Sequence, residues 1–254
     1  MTIRLLPEFA VVYLLVFARV GAIVMLLPAF GETAVAVRIR LGLALFLALI
    51  LHPVVAVQYP SGLSGNTPAA VAMLAGEIAT GLFIGLATRL LLAGAQVAGT
   101  TIATQLGLGF AMTVDPTQGS QGVIVGNFLS IAVVTLIMVT DLHMPALAAV
   151  SSSFRLFPPG HWLPVGDFAE VTVGLVAESF KVGVQLSAPF LAFGLIFNLG
   201  LGMLQKMMPQ FQLFFVAMPL SIGTGFLLFA LVLTTGMFWY MEHVRVGLGR
   251  LVAE

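Results

Sequence analysis

Four ionisable residues stand inside otherwise apolar runs: Arg19, Glu77, Arg89 and Asp141. A charge in an apolar medium is costly, so such groups are read either as functional or as structurally compensated. The compensated forms are a structural ion pair or a segment end that reaches the interface. The functional form is a sparse proton relay. Glu77 and Arg89 are twelve residues apart, about 18 Å along a continuous helix, too far to pair. Glu77 therefore requires a partner outside its own helix. Arg19 is one candidate, because it too interrupts an apolar helix. Other chemistry has few residues to work with. The histidines (His52, His143, His161 and His243) lie far apart, and none falls at a metal-ligand spacing such as H-x-x-x-H. The absence of cysteine removes disulfides, thiolate metal sites and cysteine nucleophiles. Without a clustered acid/base pair or a nucleophile beside its base, the chain is expected to be no enzyme and to hold no cofactor and no metal.

The elements that position these charges must be membrane helices. Of 254 residues, 60% are hydrophobic and 8% charged, against roughly 25% charged in a soluble domain. The mean hydropathy is +1.12. Ten basic and ten acidic side chains cannot cover such a particle in water, so its surface faces lipid, other apolar subunits, or both. A net charge of zero offers no basic patch for nucleic acid. Six stretches have the length and apolarity of a span of about 20 residues: 9–30, 40–58, 70–98, 122–150, 180–204 and 211–241. The third and sixth exceed one hydrocarbon thickness and are expected to tilt or project. Strand-like alternation is missing, so the expected class is all-α: a polytopic membrane protein of about six helical segments in long, kinked hairpins. The first segment is longer than a signal-peptide core of about 7–15 residues, and is expected to stay in the mature chain.

Between these segments, residues 31–40 read as a charged turn, 59–68 as an uncharged turn, 107–121 as a glycine-rich loop with an Asp-Pro step, and 151–166 as the most loop-like stretch. In the last of these, Phe154, Phe157 and Trp162 suit a membrane interface. Asp167 and Glu170 read as a capping-box variant opening a short helix toward Lys181. Lys206 to Gln212 is a short polar break that makes the last two segments a hairpin. Pro28, Pro145, Pro189 and Pro219 predict kinked or broken helices. Small residues at Ala72, Gly76, Gly81 and Gly85 form a stripe for close helix packing, within this chain or against neighbouring subunits. Met203, Met207, Met208 and Met218 around the hairpin turn read as ordinary packing or as a deformable seal. Charge does not decide orientation.

An ordered set of residues resembles the flagellar biosynthetic protein FliR family, which includes the SctT subunits of virulence type III secretion systems. The set runs from Phe17-Ala18-Arg19-Val20 and Pro28-Ala29-Phe30, through Arg38, Arg40 and Gly76-Glu77, to Gly109-Phe110-Ala111 and Val114-Asp115-Pro116. It ends with Ala188-Pro189, Pro209-Gln210, Phe214-Phe215-Val216 and Pro219-Leu220. The resemblance covers about residues 7 to 240.

The resemblance implies a structural subunit of the flagellar type III protein export gate. Such a subunit forms, with FliP and FliQ, the channel for unfolded flagellar subunits in the bacterial inner membrane, at the flagellar basal body. FlhB at the cytoplasmic mouth, FlhA, and the MS ring and rod proteins are the further partners implied. The implied fold is a FliP-like portion, 1–170, followed by a FliQ-like helical hairpin, 171–254. The loop 107–121 corresponds to a channel plug: Gly107, Gly109, Phe110, Met112, Val114, Asp115 and Pro116. Glycines give it freedom, the apolar side chains give bulk, and Asp-Pro fixes a turn. Without the resemblance, an ordinary connector fits equally. Lys206, Pro209 and Gln210 correspond to a cytoplasmic hairpin turn. A stand-alone small-molecule permease, a membrane-embedded enzyme and the equivalent injectisome subunit are the competing readings. A permease favours internal repeats, and none is visible.

Overall fold

The computed structural model describes residues 2–32, 35–108, 124–160, 165–208 and 213–252. Seven α-helices account for most of them: α1 (Thr2–Leu26), α2 (Val37–Val55), α3 (Thr67–Gln105), α4 (Ile124–Val139), α5 (His143–Leu156), α6 (Val165–Met207) and α7 (Leu213–Leu251). Two short 3-10 turns, Ala56–Gln58 and Leu63–Gly65, link α2 to α3. Helix is the only regular structure among the described residues. Five helices are long and apolar enough to cross a membrane, and the bent pair α4–α5 makes a sixth candidate if counted as one span. At 1.5 Å per residue, α3, α6 and α7 have contour lengths of about 60 Å, twice a hydrocarbon core.

The boundaries depart from the expected ones in four places. The segment expected at 122–150 breaks at 140–142, where Asp141 takes φ +57. A left-handed residue cannot continue a right-handed helix. Residues 151–156, expected as loop, are the last turns of α5. Asp167 lies in the first turn of α6, and that helix does not stop near Lys181 but runs on to Met207. Pro189 and Pro219 sit inside α6 and α7 without ending them, as apolar helices tolerate when neighbours re-satisfy the freed carbonyls. Pro145 occupies the first turn of α5, where no intrahelical N–H is lost. Arg38 and Arg40, expected in a turn, belong to the start of α2.

The end of α1 is built with care. Pro28 follows it, Ala29 adopts φ +68, and the Gly31 N–H donates to the Leu27 carbonyl at 2.7 Å. A Cβ on Gly31 would lie 2.5 Å from the Met25 carbonyl oxygen, so glycine alone fits. The Arg40 guanidinium donates back to the Gly31 carbonyl at 3.3 Å.

The chain forms two compact units, each made of separated pieces of sequence. One comprises 1–91, 137–175 and 245–254; the other comprises 92–136 and 176–244. In the first, α1 buries a stripe of Leu15, Val16, Val20, Ile23 and Val24 at helical spacing, and Leu27, just past its end, is buried too. Ala44 and Ala48 of α2, and Ala146, Ala149 and Val150 of α5, are likewise buried. In the second, the buried side chains include Ala98 and Ile102 of α3, Leu129 and Val133 of α4, Phe190 of α6 and Tyr240 of α7. The Tyr240 hydroxyl accepts from the Ala95 N–H at 3.1 Å. A small apolar cavity in this unit is lined by residues such as Ile102, Leu129, Phe190 and Phe229.

Glycine positions divide the expected packing stripe. A Cβ on Gly81 would lie 2.6 Å from the Arg19 carbonyl oxygen and 2.7 Å from the Ala22 Cβ, and one on Gly85 would lie 2.7 Å from the Leu26 Cβ. Gly81 and Gly85 therefore pack α3 directly against α1. Gly76 has open space around it, and Ala72 is exposed. Replacing Gly81 by Leu is expected to force α1 and α3 apart and cost about 1–3 kcal/mol of stability. The same change at Gly76 is expected to cost little, and thermal unfolding of the two variants in mild detergent compares them.

Candidate functional site

The buried charges are positioned by three helices of one unit. Arg19 comes from the last third of α1, Glu77 from the first third of α3, and the end of α5 supplies carbonyls. Arg19 and Glu77 are each 2% exposed. The Arg19 Nε donates to Glu77 Oε2. Its Nη1 donates to the Ser153 carbonyl at 3.1 Å and to the Phe157 carbonyl at 2.8 Å. The guanidinium carbon lies 4.4 Å from the centroid of the Phe154 ring, a cation–π arrangement.

Each contact follows from local structure. The last carbonyls of a helix have no intrahelical partner and carry the negative end of its dipole. The guanidinium supplies both donors and positive charge there. The close approach that Gly81 permits, one turn beyond Glu77, is what brings the carboxylate within reach of α1. A fork of fixed N–H donors satisfies a carboxylate and two carbonyls together, which a lysine ammonium would do less well.

Tyr59, in the turn after α2, is 7% exposed and lies beside the Glu77 carboxylate. Burial pushes the phenol pKa up, the Glu77 charge pushes it further, and Arg19 opposes. The phenol therefore stays neutral beside the ion pair. Phe83, Phe157 and Phe168 form an aromatic cluster next along the chain: Phe83 stacks on Phe168 at 3.9 Å, and Phe157 meets Phe168 edge-on at 5.2 Å. Beyond this cluster, Phe9 packs on His52 at 4.2 Å, and the His52 Nε2 is buried without a hydrogen-bond partner.

Of the charges singled out in the sequence, the structure brings Arg19 and Glu77 together. Arg89 and Asp141 are exposed. Gly81 meets the Arg19 backbone, Gly85 meets Leu26 and Ala22 further along α1, and Gly76 faces open space. Phe154 was expected at a membrane interface and is instead 1% exposed, under the guanidinium. The sequence reading missed Tyr59, Ser153 and Phe157 as neighbours of the pair. Two of these contribute through backbone carbonyls, which residue type does not advertise. Gly107 is described and has φ +81, ending α3 in the left-handed region that favours glycine. Gly109, Phe110, Met112, Val114, Asp115 and Pro116 lie outside the described residues, as do Pro209, Gln210 and Trp162. Lys206 is exposed in the last turn of α6. Among the described residues no three His, Asp or Glu side chains converge as a metal site. The arrangement around Arg19 holds α1, α3 and the end of α5 in register.

Comparison with known proteins adds a second line of argument. Residues 10–245 match the family described as bacterial export proteins, family 1. The chain is 43% identical over 230 residues to the flagellar biosynthetic protein FliR of Caulobacter vibrioides, covering 89% of this chain and 90% of that protein. It is 30% identical over 231 residues to the Bacillus subtilis protein of the same name, covering 89% and 86%. It is also 24% identical over 219 residues to the Yop proteins translocation protein T of Yersinia pestis, covering 85% and 83%.

The ion pair yields an ordered expectation. Arg19→Met strips Glu77 and two carbonyls of donors and is expected to cost about 3–5 kcal/mol, as when one partner of a buried pair is removed. Glu77→Gln keeps an acceptor for Arg19 and is expected to cost less. The double variant Arg19→Met/Glu77→Leu is expected to lose less than the sum of Arg19→Met and Glu77→Leu taken singly. Unfolding of the four variants in detergent ranks them.

Proposed function

Because the chain belongs to the bacterial export proteins, family 1, we propose that it is a structural subunit of a flagellar type III protein export gate. In this reading it joins FliP- and FliQ-like partners in the channel through which unfolded flagellar subunits leave the cell. It works in the bacterial inner membrane at the flagellar basal body, with FlhB at the cytoplasmic mouth and FlhA, the MS ring and rod proteins nearby. The observation that carries the proposal is similarity over nearly the whole length of proteins named for flagellar biosynthesis. The higher identity to FliR than to the Yersinia translocation protein favours a flagellar over an injectisome system.

The structure supports a role in an assembly through its surface. Large apolar side chains stand open on α6 and α7, among them Ile196 and Met203 on the former and Leu227, Leu231 and Phe238 on the latter. They call for lipid or apolar partner subunits as cover. The site chemistry supports a scaffold, because its charges are spent on holding helices together. We retain residues 1–170 as a FliP-like portion and 171–254 as a FliQ-like hairpin turning at Lys206, Pro209 and Gln210. Residues 107–121, including Gly107, Gly109, Phe110, Met112, Val114, Asp115 and Pro116, are proposed as the plug that seals the resting channel.

In-frame deletion of the gene is expected to abolish swimming and secretion of hook and filament subunits while leaving growth unchanged. Normal secretion in the deleted strain would remove the proposal. Deletion of residues 110–114 is expected to leave assembly intact but admit a normally excluded dye. Unchanged permeability at equal complex levels would make the loop a connector and put the seal elsewhere.

A further inference from the structure

Helix α3 carries a stripe of exposed positions whose chemistry changes along its length. Between Val71 and Leu86 every exposed residue is apolar, with Val71, Ile78, Leu82 and Leu86 the largest. Arg89, exposed, follows. Between Leu92 and Gln105 the exposed residues are Gln96, Thr100 and Thr104. Their spacing of four places them on one helical face. The intervening positions are buried or half-buried.

A second helix of the same unit adds to this face. A Cβ on Gly99 would run into the Gly126 backbone, so α3 and α4 cross there backbone to backbone. A Cβ on Gly126 would lie 3.6 Å from the Gln96 carbonyl oxygen and 3.9 Å from the Thr100 nitrogen. Asn127, the next residue of α4, is exposed. Asn127, bonded to Gly126, therefore lies at this crossing, on a part of α4 that also exposes Ile124 and Phe128.

The threonines alone carry little weight. The Thr100 hydroxyl donates to the Val97 carbonyl and the Thr104 hydroxyl to the Thr100 carbonyl, each at 2.9 Å, so both tolerate an apolar medium. The Gln96 and Asn127 amides decide the matter. A primary amide brings two donors and an acceptor, and hydrocarbon can meet none of them. The Arg89 side chain marks the change, because a long basic side chain reaches for the polar side of an interface.

We infer that Gln96, Thr100 and Thr104 of α3, with Asn127 of α4, form a water-facing wall, while the Val71–Leu86 part of the same stripe faces an apolar medium. The wall is polar but carries no charge. It can hydrate or hydrogen-bond a passing polypeptide without selecting for the sign of its charge. Only that last use rests on the export reading; the wetting of the face does not.

The chain contains no cysteine, so each introduced thiol is the only one in it. Gln96→Cys, Thr100→Cys, Thr104→Cys and Asn127→Cys are compared with Leu82→Cys, Ile196→Cys and Leu231→Cys. Each full-length variant is placed in its native membrane complex. A charged, membrane-impermeant thiol reagent is applied to intact cells and to inverted vesicles, and total thiol is counted after denaturation. From at least one side, the four wall positions are expected to react at least about tenfold faster than the three apolar ones, since a thiolate forms only in water. Equal rates at all seven positions overturn the inference. So does protection of the four from both sides, which would place lipid or another protein chain over them. Recovery of the assembled complex is measured for every variant, and near-isosteric Thr100→Cys stands in for any that fails to assemble. Fast labelling in a protein whose deletion leaves secretion normal would separate a wet wall from the export reading.

Discussion

A guanidinium held at 2% exposure inside an apolar helical unit sets the terms for everything packed around it. Arg19 cannot shed its charge, so the fold must bring acceptors to it. It does so from two directions: a carboxylate from α3 and two main-chain carbonyls from the end of α5. Those acceptors fix the relative positions of three helices that are far apart in sequence. The glycines at 81 and 85 are part of the same requirement, because α3 can deliver Glu77 to α1 only if the two backbones nearly touch. Phe154 closes the remaining face of the guanidinium with its ring.

The same shortage of charge explains the surface. A chain with 8% charged residues has few for solvation, and it places two of them, Arg19 and Glu77, inside. The large apolar side chains left outside on α6 and α7 are mostly leucine, valine, phenylalanine and methionine. Such a surface is stable only against hydrocarbon or another apolar protein face. Helices with contours of about 60 Å are twice as long as a hydrocarbon core is thick. One helix can therefore present different surface chemistry to different surroundings, as α3 does on either side of Arg89. The proposed export-gate role would call for both: apolar faces toward neighbours and a path compatible with a hydrated chain.

Much of this was legible in residue order. Sustained apolarity without strand-like alternation determined an all-helical membrane protein, because hydrocarbon leaves helices as the simplest way to satisfy the backbone. The interruption of apolar runs at Arg19 and Glu77 determined that each required compensation. Tertiary structure decided what sequence spacing could not. Glu77 lies 58 residues from Arg19, and the Ser153 and Phe157 carbonyls lie 134 and 138 residues away. No local rule connects such distances, and a carbonyl acceptor looks the same in every residue. Asp141 and Pro145 both interrupt that run, but an apolar helix can carry either, so residue order did not place the break at 140–142. Gly76, Gly81 and Gly85 looked equivalent in sequence, and only the approach of α1 distinguished the two that must be glycine. The sequence by itself determined which groups could not stand alone in an apolar medium; three-dimensional packing chose their partners, because helix approach depends on the shapes of both surfaces at once.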